Sequence, residues 1–381
     1  MTTIFESDRR PPGIAEKLTQ INWLLVLLVS IVAGVGFAVL YSAAGGSFEP
    51  WAARSMIRFG VGLVLMLGVA LVDLRFWYAA AYPAYAVSVL LLVAVDLKGV
   101  KGLGAQRWLE LGPVSLQPSE LVKIALVMVL ARYFSNLSHA DTGKVWRLVV
   151  PALLVLVPAA LVMKQPDLGT AMILVLGSAG LLFLVGVRFW KFALAGIAGA
   201  AMVPLAWRFL RDYQRNRILT FLNPENDSLG AGYHIMQSKI ALGSGGMWGK
   251  GFLQGTQSHL SFLPEKHTDF IFTMFAEEFG MAGGLMLLAL YAMIITYGFG
   301  IGLRARSQFG RLLALGITVN FFLYVFINTA MVMGLLPIVG VPLPLISWGG
   351  TAMLALMFGF GLVVGVWIHR DLRFGRGGDE R

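Results

Sequence analysis

Apolar stretches of about 17 to 25 residues, the length that crosses a bilayer as a helix, recur from end to end of this chain of 381 residues. A soluble protein has no interior large enough for so many. A composition 57% hydrophobic and 13% charged also leaves too few polar side chains to cover soluble domains of this total length. The pattern predicts an all-α, polytopic integral membrane protein. Ten spans are expected, near residues 21–41, 56–72, 78–95, 120–134, 146–163, 168–187, 189–207, 270–298, 312–336 and 345–368. An even number puts both termini on one side of the membrane. Residues 1–20 read as a polar N-terminal segment, 21–368 as one membrane domain and 369–381 as a polar tail, and no cleavage site follows the first apolar stretch.

The 30 Lys and Arg against 20 Asp and Glu give a formal net charge of +10. In a membrane chain that excess reports on topology and contact with membrane lipids, and no nucleic-acid partner is expected. With the N terminus in the cytoplasm, sixteen basic residues fall in inner segments and only six, Arg54, Arg58, Lys98, Lys101, Arg107 and Lys164, in short outer connections. Cytoplasmic termini are the expectation from that asymmetry. The chain has no cysteine, which excludes disulfides, thiolate metal sites and thiol redox chemistry.

One connection is far longer than a turn requires. Residues 208–268 are expected as a large outer loop between the seventh and eighth spans, with seven basic and four acidic residues and six glycines between Gly243 and Gly255. Its glycine-rich part is either a plain solvent-exposed connector or a segment that lies along the membrane or dips into a cavity.

Charged and polar side chains at helix ends carry the remaining information, because an unpaired charge in a bilayer costs about 2.5 to 3.5 kcal/mol on insertion scales. In RWLELGPVSLQPSELVK, Ser119 can cap a helix whose first turn holds Glu120, with Lys123 three residues on. The two form either an ion pair at the membrane boundary or the wall of a polar cavity. Arg107 in the same stretch is a candidate phosphate ligand. In MKQPDLGTA, Asp167 either caps the following helix or orders a cavity near Lys164. The densest polar run is SFLPEKHTDFIFTMFAEEFG, where Asp269 is either a helix cap or a general base at a partly apolar cavity mouth, with His267 as base, hydrogen-bond partner or interfacial residue. Glu277 and Glu278 follow one to two turns deeper. Finally, Asn320, Asn328 and GLLPIVGVPLPLISWGGTAML, with its prolines and Ser347, make either a tight turn with close helix packing or a broken-helix cavity wall.

Two soluble signatures fail. GSGGMWGKG lacks the Ser or Thr that must follow the lysine of a phosphate loop, since Lys250 is followed by Gly251. The five histidines lack metal-ligand spacing. Taken alone, intramembrane polar residues among ten spans favour transport.

The ordered set of these segments, together with NRILTFLNP at 216–224 and GYHIMQSKIALGSGGMWGKGFLQGTQ at 232–257, resembles the SEDS family of bacteria (shape, elongation, division and sporulation). The resemblance runs over residues 20–370, and the short N-terminal segment favours the rod-shape branch over the division branch. It implies a SEDS fold in the cell inner membrane and a glycosyltransferase that polymerises lipid II into peptidoglycan strands, with inversion at the donor sugar and release of undecaprenyl pyrophosphate. On that resemblance Asp269 is the catalytic residue, and Lys123, Glu120, Arg107, Arg217, Asp167, Ser347 and His267 are substrate-binding. No organic cofactor is implied. A divalent cation, Mg2+ or Mn2+, is expected only through the substrate pyrophosphate. The implied partners are a class B penicillin-binding transpeptidase and the elongation machinery, and the alternative activity is a lipid II flippase or another membrane transporter.

Overall fold

The computed structural model describes residues 13–102, 105–111, 114–138, 141–209, 212–224, 230–256 and 266–372. Residues 1–12 and 373–381 of the expected terminal segments, and His139, His259 and Glu265, lie outside them. Along the chain run α1 (Ile14–Thr19), α2 (Trp23–Ala43), α3 (Ala52–Leu71), α4 (Leu74–Lys98), α5 (Pro118–Ser135), α6 (Val145–Lys164), α7 (Leu168–Val185), α8 (Phe189–Phe209), α9 (Asp212–Leu222), α10 (Ala231–Ser244), α11 (Ile271–Arg304), α12 (Gln308–Val332) and α13 (Gly350–Ile368). Eight of these, α2, α3, α4, α6, α7, α11, α12 and α13, are long and apolar enough to cross a membrane, and the chain is a multi-pass membrane protein. The other two expected spans coincide with α5 and α8. Glu120, Lys123 and Arg132 interrupt α5, while α8 exposes most of its length.

Local chemistry sets the helix starts. Asn22, Asp73, Asp167 and Ser307 each accept a hydrogen bond from a first-turn amide, and Pro118 opens α5 where no amide donor is needed. Helices α12 and α13 form the buried centre. Gly62 and Gly361 let α3 and α13 approach closely, the first against Met357 and the second against Met66 and Val69.

The all-α expectation needs one addition. Three short strands, β1 (Val100–Gly102), β2 (Ala105–Leu111) and β3 (Val114–Leu116), form a small antiparallel sheet in that order. It is tied to the end of α13 by Thr351 Oγ1, which donates to the Ser115 carbonyl at 3.0 Å. The long connection at 208–268 differs from an open loop as well, since it contains α9 and α10, and α10 packs on α11.

Helix α11 is broken. Gly280 has φ 66° and ψ −167° in the midst of helical residues. Geometry calls for such a break: α11 and α12 leave the same short turn at residues 305–307 and meet again where Asn328 binds the Asp269 carbonyl. The α11 path between those points is about 50 Å long at 1.5 Å per residue, and the α12 path about 30 Å. The surplus is taken up by a bend, which makes residues 271–279 an arm at an angle to the rest of α11. Bending leaves backbone groups without helical partners. The glycine-rich segment supplies replacements: the amides of Lys250 and Gly251 donate to the carbonyls of Glu277 and Glu278, both at 3.0 Å, and the carbonyls of Gly246 and Met247 accept from Met281 and Ala282 at 2.9 and 3.0 Å. A Cβ at Gly245, Gly249 or Gly280 would overlap main-chain atoms of the opposite segment. The glycines are there for backbone-to-backbone contact.

Candidate functional site

Asp269 lies in the turn that leads into the arm, and the main chain around it is held from three directions. The His267 carbonyl accepts from the Trp348 amide at 2.9 Å. The Thr268 carbonyl accepts from Ser347 Oγ at 2.6 Å, and the Asp269 carbonyl from Asn328 Nδ2 at 2.9 Å. Two of the donors also fix the proline-rich stretch before α13. Asn328 Nδ2 donates to the Val341 carbonyl at 2.7 Å, and Ser347 Oγ accepts from the Leu343 amide at 2.7 Å. Asn328 and Ser347 are themselves buried, so their side chains are shielded from solvent, which strengthens the bonds they make. The Asp269 side chain stays half-exposed, and Gly340, in a left-handed turn at φ 73°, brings bare main chain up to the carboxylate.

His267 is stacked on Trp51 with centroids 4.4 Å apart and meets the edge of Trp348 at 6.1 Å. Those contacts orient the ring as part of an aromatic wall. Burial pushes the Lys266 ammonium below its ordinary pKa. Arg58, counted in the sequence only for topology, stands over the Trp348 ring at 4.9 Å, a cation at the same end of the bundle that only the fold reveals.

A mostly apolar groove opens beside this clasp, and the polar residues in its lining include Glu120, Lys123, Asn320, Tyr324 and Ser347. Glu120 and Lys123 form an ion pair that lines this groove. Lys123 Nζ is 2.7 Å from Glu120 Oε1, and both residues are buried in the wall of the groove. Tyr324 donates to the other Glu120 oxygen at 2.9 Å and places its ring 4.4 Å from Lys123 Nζ. Glu120 takes one of the three ammonium donors, which leaves Lys123 able to donate further to an anion in the groove.

Arg107 and Asp167 form a separate brace. Arg107 donates through Nε to the Gln165 carbonyl at 3.2 Å and through Nη2 to the Pro166 carbonyl, and its Nε is 4.0 Å from Asp167 Oδ2. Asp167 caps α7, accepting from the Thr170 amide at 3.1 Å and the Thr170 hydroxyl at 3.0 Å. The start of α7 then buttresses the clasp, because Gly169 abuts the main chain of Val339 and the side chain of Val341. Arg217 lies on α9, which packs on α10. The structure therefore brings Glu120, Lys123 and Ser347 into one groove, while Asp269 and His267, which do not line it, flank the Thr268 carbonyl that Ser347 holds, and Arg107 and Asp167 brace the α6–α7 turn. Asn328 belongs with the site. Its only sequence signal was an amide in an otherwise apolar span.

These features define a multi-pass helical bundle with a mostly apolar groove that holds a buried Glu120–Lys123 pair, and with an aspartate whose main chain is clasped beside it. The family model described as cell cycle protein, covering FtsW, RodA and SpoVE, matches residues 18–372, and the chain belongs to that family, the SEDS proteins. It is 46% identical over 357 residues to the peptidoglycan glycosyltransferase MrdB of Escherichia coli strain K12, covering 92% of this chain and 93% of the relative. To the MrdB of Helicobacter pylori strain 26695 it is 38% identical over 323 residues, covering 83% and 84%. Among solved structures it is similar to the rod shape determining protein RodA of Thermus thermophilus, with a TM-score of 0.70, 29% identity and coverage of 92% and 98%. A chain from a peptidoglycan synthase complex that coordinates polymerization and crosslinking gives a TM-score of 0.80 at 32% identity, with the same coverage.

Proposed function

We propose that this chain is a peptidoglycan glycosyltransferase that polymerises lipid II, with Asp269 as its general base. The observation that carries the assignment of the base is the clasp: three consecutive carbonyls, at 267, 268 and 269, are held by Trp348, Ser347 and Asn328, while Asp269 itself is partly exposed, one residue from the carbonyl that groove-lining Ser347 holds. A general base needs that combination of fixed main chain and accessible oxygen. Asp269 takes the proton from the 4-hydroxyl of the acceptor N-acetylglucosamine as that oxygen attacks C1 of the donor N-acetylmuramic acid. The bond from C1 to the pyrophosphate oxygen breaks, and undecaprenyl pyrophosphate leaves with the bonding electrons. One displacement inverts the anomeric centre and requires no protein nucleophile.

Charge grows on the leaving pyrophosphate, and Lys123 is the groove cation that faces it, oriented by Glu120 and Tyr324. Ser347 and Asn328 act on the main chain of the base, and His267 supplies an aromatic wall for a sugar or isoprenoid unit. Arg107 and Asp167 support the loop behind the clasp, and Arg217 is retained as a further cation for the headgroup. Among the described residues no three His, Asp or Glu side chains gather into a metal site. A Mg2+ or Mn2+ ion would therefore draw most of its oxygen ligands from the substrate pyrophosphate, and no step above is routed through it.

The reading places both termini in the cytoplasm of the inner membrane and the groove at the outer face, and it takes a class B penicillin-binding transpeptidase of the elongation machinery as partner. Purified chain supplied with lipid II and that partner is expected to yield penicillin-insensitive glycan strands, and Asp269→Asn to lower their rate by about a hundredfold or more. Near-normal polymerisation by a folded Asp269→Asn protein would sink the base assignment, and lipid movement without polymer would favour a flippase.

A further inference from the structure

Asp269 stands at the tip of an arm whose angle is not set by helix continuity, because the helix is interrupted at Gly280. Other segments must fix it. The hydroxyls of Ser238 and Thr273 are hydrogen-bonded at 2.8 Å, and Ser42 Oγ donates to Glu278 Oε1. The glycine-rich segment makes the largest contribution, since its four main-chain bonds straddle the break, two on the arm and two beyond it.

Lys250 joins that main-chain splint to a side-chain one. Its amide donates to the Glu277 carbonyl at 3.0 Å, and its Nζ lies 2.8 Å from Glu277 Oε1. Thr256 Oγ1 accepts from the same Nζ at 2.7 Å and is 3.2 Å from Glu277 Oε1. The Glu277 side chain is 0% exposed, and a carboxylate so buried is unfavourable without a cation on it. Seating the Lys250 ammonium and seating the segment across the break are thus one event. The arm is at its lowest free energy in the single orientation that allows both.

We propose that Lys250 and Glu277 are positioning residues: their ion pair locks the glycine-rich segment across the Gly280 break and so sets the angle at which the arm presents Asp269 to the groove. The proposal rests on Asp269 being the base. It explains why a buried carboxylate is paired with a half-buried lysine 27 residues away in sequence at this place, outside the groove that Glu120 and Lys123 line, and why glycine is required on both sides of the contact.

The test is steady-state lipid II polymerisation by the full chain, with melting temperature measured on the same preparations. Lys250→Met alone strands a buried carboxylate and can fail to fold, so the informative variant is the neutral pair Lys250→Met with Glu277→Gln. It is expected to keep its melting temperature and KM while kcat falls about tenfold, and Lys250→Arg, which can still reach Glu277, to retain most of the wild-type kcat. A neutral pair with wild-type kcat would overturn the proposal, as would a loss of kcat accompanied by an equal loss of thermal stability. Asp269→Asn is run in parallel. If that variant polymerises normally the base assignment itself is lost, an outcome distinct from any result on the pair.

Discussion

Two non-helical stretches meet the arm that carries Asp269, and they hold it by opposite means. The proline-rich stretch before α13 grips through Ser347 on the Thr268 carbonyl and the Trp348 amide on the His267 carbonyl, and Asn328 of α12 ties the two together by bridging the Asp269 and Val341 carbonyls. The glycine-rich stretch grips mainly through its own backbone, with Gly245, Gly249 and Gly280 bare so that main chains can touch. Prolines restrict φ and leave few competing conformations. Glycines permit the contact and lose the most entropy in making it. The first stretch is rigid before it binds, and the second becomes rigid by binding. That is the arrangement expected if one clasp fixes the base and the other sets the arm.

Substitution should separate the two. The largest effect is expected at Gly280→Ala, where a Cβ meets the main chain of Met247 and Gly249 and a positive φ is imposed on an L residue. A loss of about 3 kcal/mol or more follows from strain and overlap together, read as a drop in the thermal midpoint of the detergent-solubilised protein. By contrast Trp248→Ala, at a side chain 81% exposed in the same stretch, should leave stability in detergent within about 0.5 kcal/mol. Equal sensitivity at the two positions would refute a backbone-based grip.

Where α12 and the proline-rich stretch clasp the Asp269 turn the order is reversed, since side chains are what matter. Asn328→Ala leaves the Asp269 and Val341 carbonyls without their donor and should cost about 2 to 3 kcal/mol. Ser347→Ala removes one donor and one acceptor and should cost about 1 to 2 kcal/mol. Both are also expected to lower kcat with little change in KM, because the groove that Lys123 lines is left in place. A variant at Asn328 that raises KM and spares kcat would assign this residue to substrate binding.

How much of this was legible in the sequence depends on the range of the contact. Glu120 and Lys123 were readable as a pair because residues three apart on a helix share a face, and Asp269 stood out as a carboxylate at the start of an apolar run. The α7 cap by Asp167 is local for the same reason. The partners of Ser347 and Asn328 were not readable, since they lie 79 and 59 residues away and a carbonyl carries no signature of what binds it. Gly243 to Gly255 announced close approach without naming the approaching segment. The hairpin at 100–116 was hidden because its strands are only three to seven residues long, too short for a period-2 pattern to emerge. Arg107 is a phosphate candidate by the chemistry of its guanidinium alone, while the brace it makes could not be read. Its carbonyl partners on the α6–α7 turn are 58 and 59 residues further along the chain.

The smallest expected effect comes from the opposite end of the bundle and provides the baseline for the others. His369, just past α13, is buried with Nδ1 2.9 Å from the Gly365 carbonyl. Burial pushes its pKa below the ordinary value of 6.5, Lys17 adds to that push, and the Gly365 bond and Asp73 oppose it. The neutral ring is therefore favoured in the folded chain. Because the folded pKa is the lower one, the stability it contributes is fully present above about pH 6.5 and is lost as pH falls from there through the folded value, where the folded protein must accept a proton on a buried ring. Acidification across that window should lower the thermal midpoint by roughly 1–2 °C more in the wild-type chain than in His369→Gln. Neither clasp at the Asp269 end contains this residue, so His369→Gln should leave kcat at neutral pH unchanged. A fall in kcat there would mean that the two ends of the bundle are coupled, and the separate roles assigned to the proline-rich and glycine-rich stretches would have to be redrawn around that coupling.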